Sequence, residues 1–151
     1  MATEFHNVVT TAFPVCGMDI SPSGDLAIAT SSLTNEVWDG QLVVVSNPLS
    51  NKRETPCYIH CGLSSIAWHP KTASIIGAAD DCCAYIWTLE TSYEKVVETI
   101  KGHDSSLTAV SVSALSGAIA TASYDATVRV WSYENGLISS LSSHKPLLHT
   151  P

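Results

Sequence analysis

Three side chains that together have the makings of a hydrolytic triad fall within one short stretch: His103, Ser123 and Asp125. In such a triad the imidazole takes the serine proton, the carboxylate orients the imidazole, and the freed oxygen attacks an acyl carbon. A second constellation, Cys57, His60 and Cys61 with the adjacent Cys82 and Cys83, has the ligand types of a zinc site. Neither cysteine pair has the CxxC spacing of a zinc knuckle, and adjacent cysteines in a strand point to opposite faces. The five cysteines therefore read as small, buried, apolar residues of a reducing compartment. Nowhere does the chain contain GxGxxG, a phosphate-binding loop, GxSxG or HExxH, so no familiar enzyme class is visible, and neither metal nor cofactor is expected.

Composition narrows the choice further. Of 151 residues, 45% are hydrophobic and only 14% charged, which is ample for a core and unlike a disordered chain. A formal charge of −7 repels phosphate backbones, so direct nucleic-acid binding is not expected; the same charge suits basic partners. Met1 to Pro14 has neither a basic start nor a continuous apolar run, and no stretch approaches a membrane span. The expectation is a soluble, intracellular protein with no membrane partner.

The elements that must position the polar residues are strands. Between Gly102 and Trp131, the segments Leu107 to Val112, Ala118 to Ser123 and Thr127 to Trp131 alternate in character as half-buried strands do. Ser116-Gly117 and Tyr124-Asp125-Ala126 between them make tight turns, giving an antiparallel meander. The text CGMDISPSGDLAIATSS, from Cys16, repeats the same strand, turn and strand order, and so does LSSIAWHPKTASIIGAADDCCAYIWT, from Leu63. Trp68 stands as far before Trp87 as Val112 before Trp131, so the last two repeats align without gaps. The step from Trp87 to Trp131 falls within the roughly 40 to 45 residues of a four-stranded propeller blade. Tyr93 to Ile100 and Leu137 to Leu141 supply fourth strands. Val8-Val9 reads as a single strand, and Ser31 to Gly40 as a long connection before Leu42 to Ser46 resumes.

These repeats divide the chain into an amino-terminal segment (1–13), three blades (14–55, 56–101 and 102–142) and either the truncated opening of a fourth or a tail (143–151). The fold class expected is all-β, a partial β-propeller of about three four-stranded antiparallel blades. Three blades are too few to close a ring, so a truncated, amino-terminal portion with two uncovered apolar faces is expected, prone to associate.

Gly102-His103 followed by SYDATVRVW resembles a WD repeat, the blade unit of WD-type β-propellers. The resemblance implies a hydrogen-bonded chain from Trp131 through Ser123 and His103 to Asp125. That arrangement ties the serine to a buried indole and makes the triad composition structural rather than catalytic. In the second repeat Trp87, Asp81 and His60 hold comparable places, with Ala79 where the hydroxyl belongs. In the first, Thr30 takes the hydroxyl position and Val45 the final Trp.

The string ATSSLTNEVWDGQLVVVSNP, with Ser-Ser-Leu before and Trp-Asp-Gly after its centre, is similar to the first blade of the methylosome WD-repeat subunits. That likeness implies a non-catalytic adaptor of the cytoplasm and nucleus. Its partner would be the type II protein arginine methyltransferase, whose amino-terminal barrel would receive Trp38 from a projecting loop, with Leu33, Glu36 and Asp39 beside it. Histones and Sm proteins would be the substrates presented. A WD-repeat scaffold of another assembly, such as a ubiquitin ligase, is the alternative.

Overall fold

A computed structural model describes residues 9–46, 57–89, 96–134 and 137–144. They form twelve strands: β1 (Val15–Ile20), β2 (Leu26–Thr34), β3 (Val37–Val45), β4 (Cys57–Ile59), β5 (Leu63–Trp68), β6 (Ser74–Ala79), β7 (Cys83–Thr88), β8 (Val96–Lys101), β9 (Leu107–Val112), β10 (Ile119–Ser123), β11 (Val128–Glu134) and β12 (Leu137–His144). Neighbouring strands pair antiparallel into three four-stranded sheets, β1 to β4, β5 to β8 and β9 to β12, each in simple meander order. This is the architecture of a partial WD-type propeller, all-β and built from three blades.

Local chemistry fixes the hairpins. The turn after β1 closes through the Ser21 hydroxyl, which accepts the Asp25 amide at 2.9 Å, with Gly24 supplying the left-handed position (φ 90°). In the turns after β6 and β10, Cys82 (φ 69°) and Ala126 (φ 61°) take that conformation without being glycine. Such a residue costs roughly 1 kcal/mol relative to glycine, a strain both blades carry at the same place. Cys82 thus sits in a turn, and only Cys83 begins a strand.

Side-chain alternation then stacks the sheets. Ala27, Ala29, Leu42 and Val44 of the first pack against Leu63, Ile75 and Trp87 of the second. Ala78, Ala84 and Ile86 on the other side of the second sheet meet Leu107, Ile119 and Trp131 of the third. β6 is buried along its whole length, which explains its almost unbroken apolar text, Ser-Ile-Ile-Gly-Ala-Ala. Each large side chain buried in this way contributes about 1.5–3 kcal/mol.

Polar ties brace the same interfaces. Asp19 Oδ2 accepts the Trp68 amide at 2.7 Å, and the Asp19 carbonyl accepts the Trp68 indole at 3.1 Å. Ser64 donates to the Leu107 carbonyl at 2.8 Å. His69 Nε2 bonds the Gly117 carbonyl at 3.1 Å, and Lys71 Nζ the Ser116 carbonyl at 2.9 Å.

Three sequence expectations need correction. The residues from Ser31 to Gly40 are not a loose connection: β2 and β3 run on as one hairpin, in register from Leu26↔Val45 to Thr34↔Val37. Its turn is only Asn35-Glu36, both left-handed (φ 52° and 65°), the pattern of a type I′ turn whose twist matches the strands. Next, Cys57–Ile59 pairs with β3 at the edge of the first sheet rather than opening the second. Third, β12 runs on to His144 against β11, past the blade boundary expected at residue 142. Of the strand expected at Val8-Val9, Val8 lies outside the described residues, and Val9 is coil packed against the cluster of Ile28, Val43 and Val45. Of the two blade faces expected to stand uncovered, the first buries Ile28, Val43 and Val45 while leaving Met18 and Ile20 71% and 63% exposed. On the third sheet's outward face Val128 is 45% exposed.

Candidate functional site

The polar residues of the third blade form a continuous chain, but its hydroxyl is that of Thr121. Trp131 Nε1 donates to Thr121 Oγ1 at 2.9 Å, and Thr121 lies 2.8 Å from His103 Nε2. His103 Nδ1 is 2.9 Å from Asp125 Oδ2. With the indole N–H already directed at Thr121, the hydroxyl donates its hydrogen bond to Nε2, leaving Nδ1–H to donate to the carboxylate. Thr127 closes the circuit, donating to Asp125 Oδ1 at 2.6 Å. Burial works to raise the Asp125 pKa, but bonds from the Thr127 hydroxyl, the Asp104 amide and His103 outweigh it and hold the carboxyl well below its usual range.

Ser123, assigned to this chain from the sequence, lies elsewhere. Its hydroxyl donates to the Ser105 carbonyl at 2.8 Å and accepts the Asp125 amide at 3.1 Å. The reason is register: Trp131 stands opposite Ile119, and the indole reaches diagonally to the next residue on that face, Thr121, and no further. A serine bonded to a carbonyl cannot pass its proton to His103, whose Nε2 already holds Thr121. No triad is assembled. Gly102 belongs to the same design, since a Cβ there would meet the Trp131 ring at 2.9 Å.

The second blade departs from this plan in a different way than its sequence implies. Gly77, not Ala79, occupies the Thr121 position, and a Cβ on it would lie 2.7 Å from the Trp87 ring. Trp87 Nε1 is buried without a partner among the described residues. His60 takes no part: its side chain is fully exposed, with Asp39 at 3.9 Å. Asp81 instead accepts the Tyr85 hydroxyl. In the first blade Thr30 turns to the backbone of Gln41, its hydroxyl accepting that amide at 2.9 Å, so no chain forms there either.

The residues that face solvent are of another kind. Leu33 and Trp38 are a directly opposed pair near the tip of the β2–β3 hairpin, 56% and 46% exposed, beside Val37 at 57%. Glu36 is exposed in the turn, while Asp39 points to the opposite face, toward His60. The residues expected at a partner contact are therefore together on one hairpin, though Trp38 is on a strand and not on a loop. The inner half of the Trp38 ring rests over Gly62, where a Cβ would stand 3.1 Å from Cε3.

Under Trp38 opens a groove of ≈ 720 Å³ running across the ends of all three sheets, with Glu36, Cys61, Asp80, Asp81 and Tyr124 among its walls. Burial pushes the Cys61 thiol up to about 12, with Asp81 and Asp80 adding to the shift, so it is a neutral thiol at physiological pH. Burial likewise raises the Asp80 pKa. Its Oδ1 accepts the Gly62 amide at 3.0 Å, and its Oδ2 is buried without a partner among the described residues. Sequence reading missed Asp80 and Tyr124; they are turn residues whose meeting with Trp38 depends on how the sheets stack. Among the described residues no group of three or more His, Cys, Asp or Glu is disposed to hold a metal ion, and no helix is long and apolar enough to cross a membrane.

Comparison with known proteins agrees with the blade geometry. The WD domain, G-beta repeat pattern matches residues 53–88 and 94–132, each match taking in the last strand of one sheet and the first three of the next. THO complex subunit 6 of Arabidopsis thaliana is 34% identical over 74 residues, covering 49% of this chain and 20% of that protein. Nuclear distribution protein nudF 2 of Aspergillus clavatus is 33% identical over 88 residues, 54% of this chain and 20% of its own. Nuclear distribution protein PAC1 of Arthroderma benhamiae is 33% identical over 75 residues, 48% and 16% respectively. None of these is a methylosome subunit, and the chain spans about a fifth or less of the length of each. The stacked meanders, the Trp131–Thr121–His103–Asp125 chain and the matched repeats place this chain in the WD40-repeat family.

Proposed function

We propose that the protein is a non-catalytic scaffold that docks a partner on the tip of its β2–β3 hairpin. The observation that carries this reading is the exposed Leu33–Trp38 pair, held out on two paired strands with a tight turn. A rigid, half-exposed Trp on a projecting hairpin is the usual form of an interface anchor, because it removes a large apolar area from water at small entropic cost. The hydrogen bonds of Ser123 and His103, all spent within the blade, remove the one catalytic constellation that the sequence offered.

The partner proposed is the type II protein arginine methyltransferase, with Trp38 entering its amino-terminal barrel, Leu33 and Glu36 flanking the contact, and Asp39 meeting the partner only from the hairpin's other face. Histone or Sm-type proteins would be the substrates presented, in the cytoplasm or nucleus. What supports this is the Ser-Ser-Leu and Trp-Asp-Gly text at the hairpin. A titrated pull-down with the methyltransferase tests it. Trp38→Ala should weaken capture by about 2 kcal/mol with an unchanged melting curve, and equal capture would overturn the assignment.

A second reading rests on the relatives, whose names place them in a THO complex and in nuclear distribution: a scaffold of another nuclear or cytoplasmic assembly. Affinity capture with mass spectrometry separates the two, since Trp38→Ala would then deplete a different set of proteins.

A further inference from the structure

The groove below Trp38 has a composition that the hairpin's anchoring role does not require. Three carboxylates, Glu36, Asp80 and Asp81, stand on its walls beside the His60 imidazole, and among the described residues no lysine or arginine does. Two aromatic side chains with accessible faces, Trp38 (46% exposed) and Tyr124 (78% exposed), flank the same space. The remainder is mostly small or apolar, so water is displaced readily from the floor. A cavity of ≈ 720 Å³ is within the range that holds a large side chain together with its adjoining backbone.

We infer that this groove receives an arginine side chain from an extended segment of a partner protein. A guanidinium fits every element of the site. Its face stacks on an indole or phenol ring by cation–π attraction, and its edge donors find carboxylate acceptors. It also answers the site's own imbalance, because Asp80 is partly desolvated, with one oxygen bonded to Gly62 and the other buried without a partner among the described residues. A cation beside it relieves an unfavourable local field that the folded chain otherwise bears alone. A nucleic acid is disfavoured by the same carboxylates, and an acidic peptide more so. The inference takes from the scaffold reading only that this end of the sheets binds protein. It does not depend on which enzyme engages Trp38, and its test contains no methyltransferase, so the two fail separately.

The experiment uses the full chain and a short fluorescein-labelled Gly-Arg repeat peptide, with the Gly-citrulline counterpart as the uncharged isostere. Anisotropy reports binding, and tryptophan emission gives an independent signal. Trp68, Trp87 and Trp131 are 8%, 2% and 5% exposed, so a ligand in the groove perturbs mainly Trp38. Saturable binding of the arginine peptide with a shift in tryptophan emission is expected, weakened as salt is raised. Glu36→Gln and Asp81→Asn should each weaken it about fivefold, while Asp25→Asn, the same charge change at the opposite end of the first sheet, should leave it unchanged. Equal binding of the citrulline peptide, equal weakening by Asp25→Asn, or no saturable binding would each overturn the inference. A melting curve on every variant separates lost binding from lost fold.

Discussion

Trp131 Nε1 donates to Thr121 Oγ1 at 2.9 Å, and this bond starts the polar chain that runs through the third blade. Thr121 and Trp131 are both buried, at 1% and 5% exposure, so neither group has water as a substitute. Thr121→Val keeps the shape and orphans both the indole N–H and His103 Nε2. It should cost about 1–3 kcal/mol in urea denaturation. Ser123→Ala, which removes a bond to an ordinary carbonyl, should cost about 1 kcal/mol. The reverse order would restore Ser123 as the hub.

Gly77 makes the opposite point. Its hydrogen atoms face the Trp87 ring where a Cβ would lie 2.7 Å from Cζ3, and that ring, 2% exposed, has no room to retreat. Gly77→Ala is therefore expected to destabilise by roughly 1–3 kcal/mol through overpacking, even though alanine suits a strand better than glycine. Thermal denaturation reads the change, and a neutral result would mean that Trp87 repacks.

Backbone strain gives a stabilising prediction. Ala126 adopts φ 61° in the turn before β11, and its methyl group is exposed. Ala126→Gly should raise stability by about 1 kcal/mol, less the entropy glycine adds to the unfolded chain. A lower melting temperature would show that the entropic side wins.

Acid should loosen the contact between the second and third blades through His69. Burial lowers its pKa below the ordinary 6.5, with Lys71 in the same direction and the bond to the Gly117 carbonyl opposing. The folded chain therefore favours neutral imidazole, Nε2–H donating to Gly117 and Nδ1 accepting the Thr72 amide at 3.2 Å. Because the folded pKa is the lower one, the stability is fully present above 6.5 and is lost as pH falls from there toward the folded value. Denaturation midpoints measured across that window should decline with acid, and His69→Gln should remove the step. An unaltered pH profile in the variant would assign the decline elsewhere.

Much of the architecture was legible because it depends on repeated local patterns. Alternation located the strands, the matched tryptophan spacing gave the blade register, and Gly102-His103 with Asp125 and Trp131 marked three members of the polar chain correctly. The fourth member failed for a geometric reason. Thr121 and Ser123 are both hydroxyls on one face of β10, and only the reach of the indole across the strand pair chooses between them. The hairpin failed for a chemical one: Asn35-Glu36 lacks the glycine that announces a type I′ turn, so ten polar and apolar residues looked like a connection. The groove was invisible because Asp80, Tyr124 and Trp38 belong to different sheets, and no sequence pattern encodes how sheets stack.

The two tryptophans also determine how the chain comes apart. Trp87 is filed into the cluster shared with the first sheet, and Trp131 into the cluster shared with the second, so the second and third blades each keep a tryptophan in their predecessor's territory. Peeling off any one blade strands either its own indole or its neighbour's. An array of self-sufficient modules would shed units one by one; here the described blades should melt in a single cooperative step, with the middle sheet the last that can be spared.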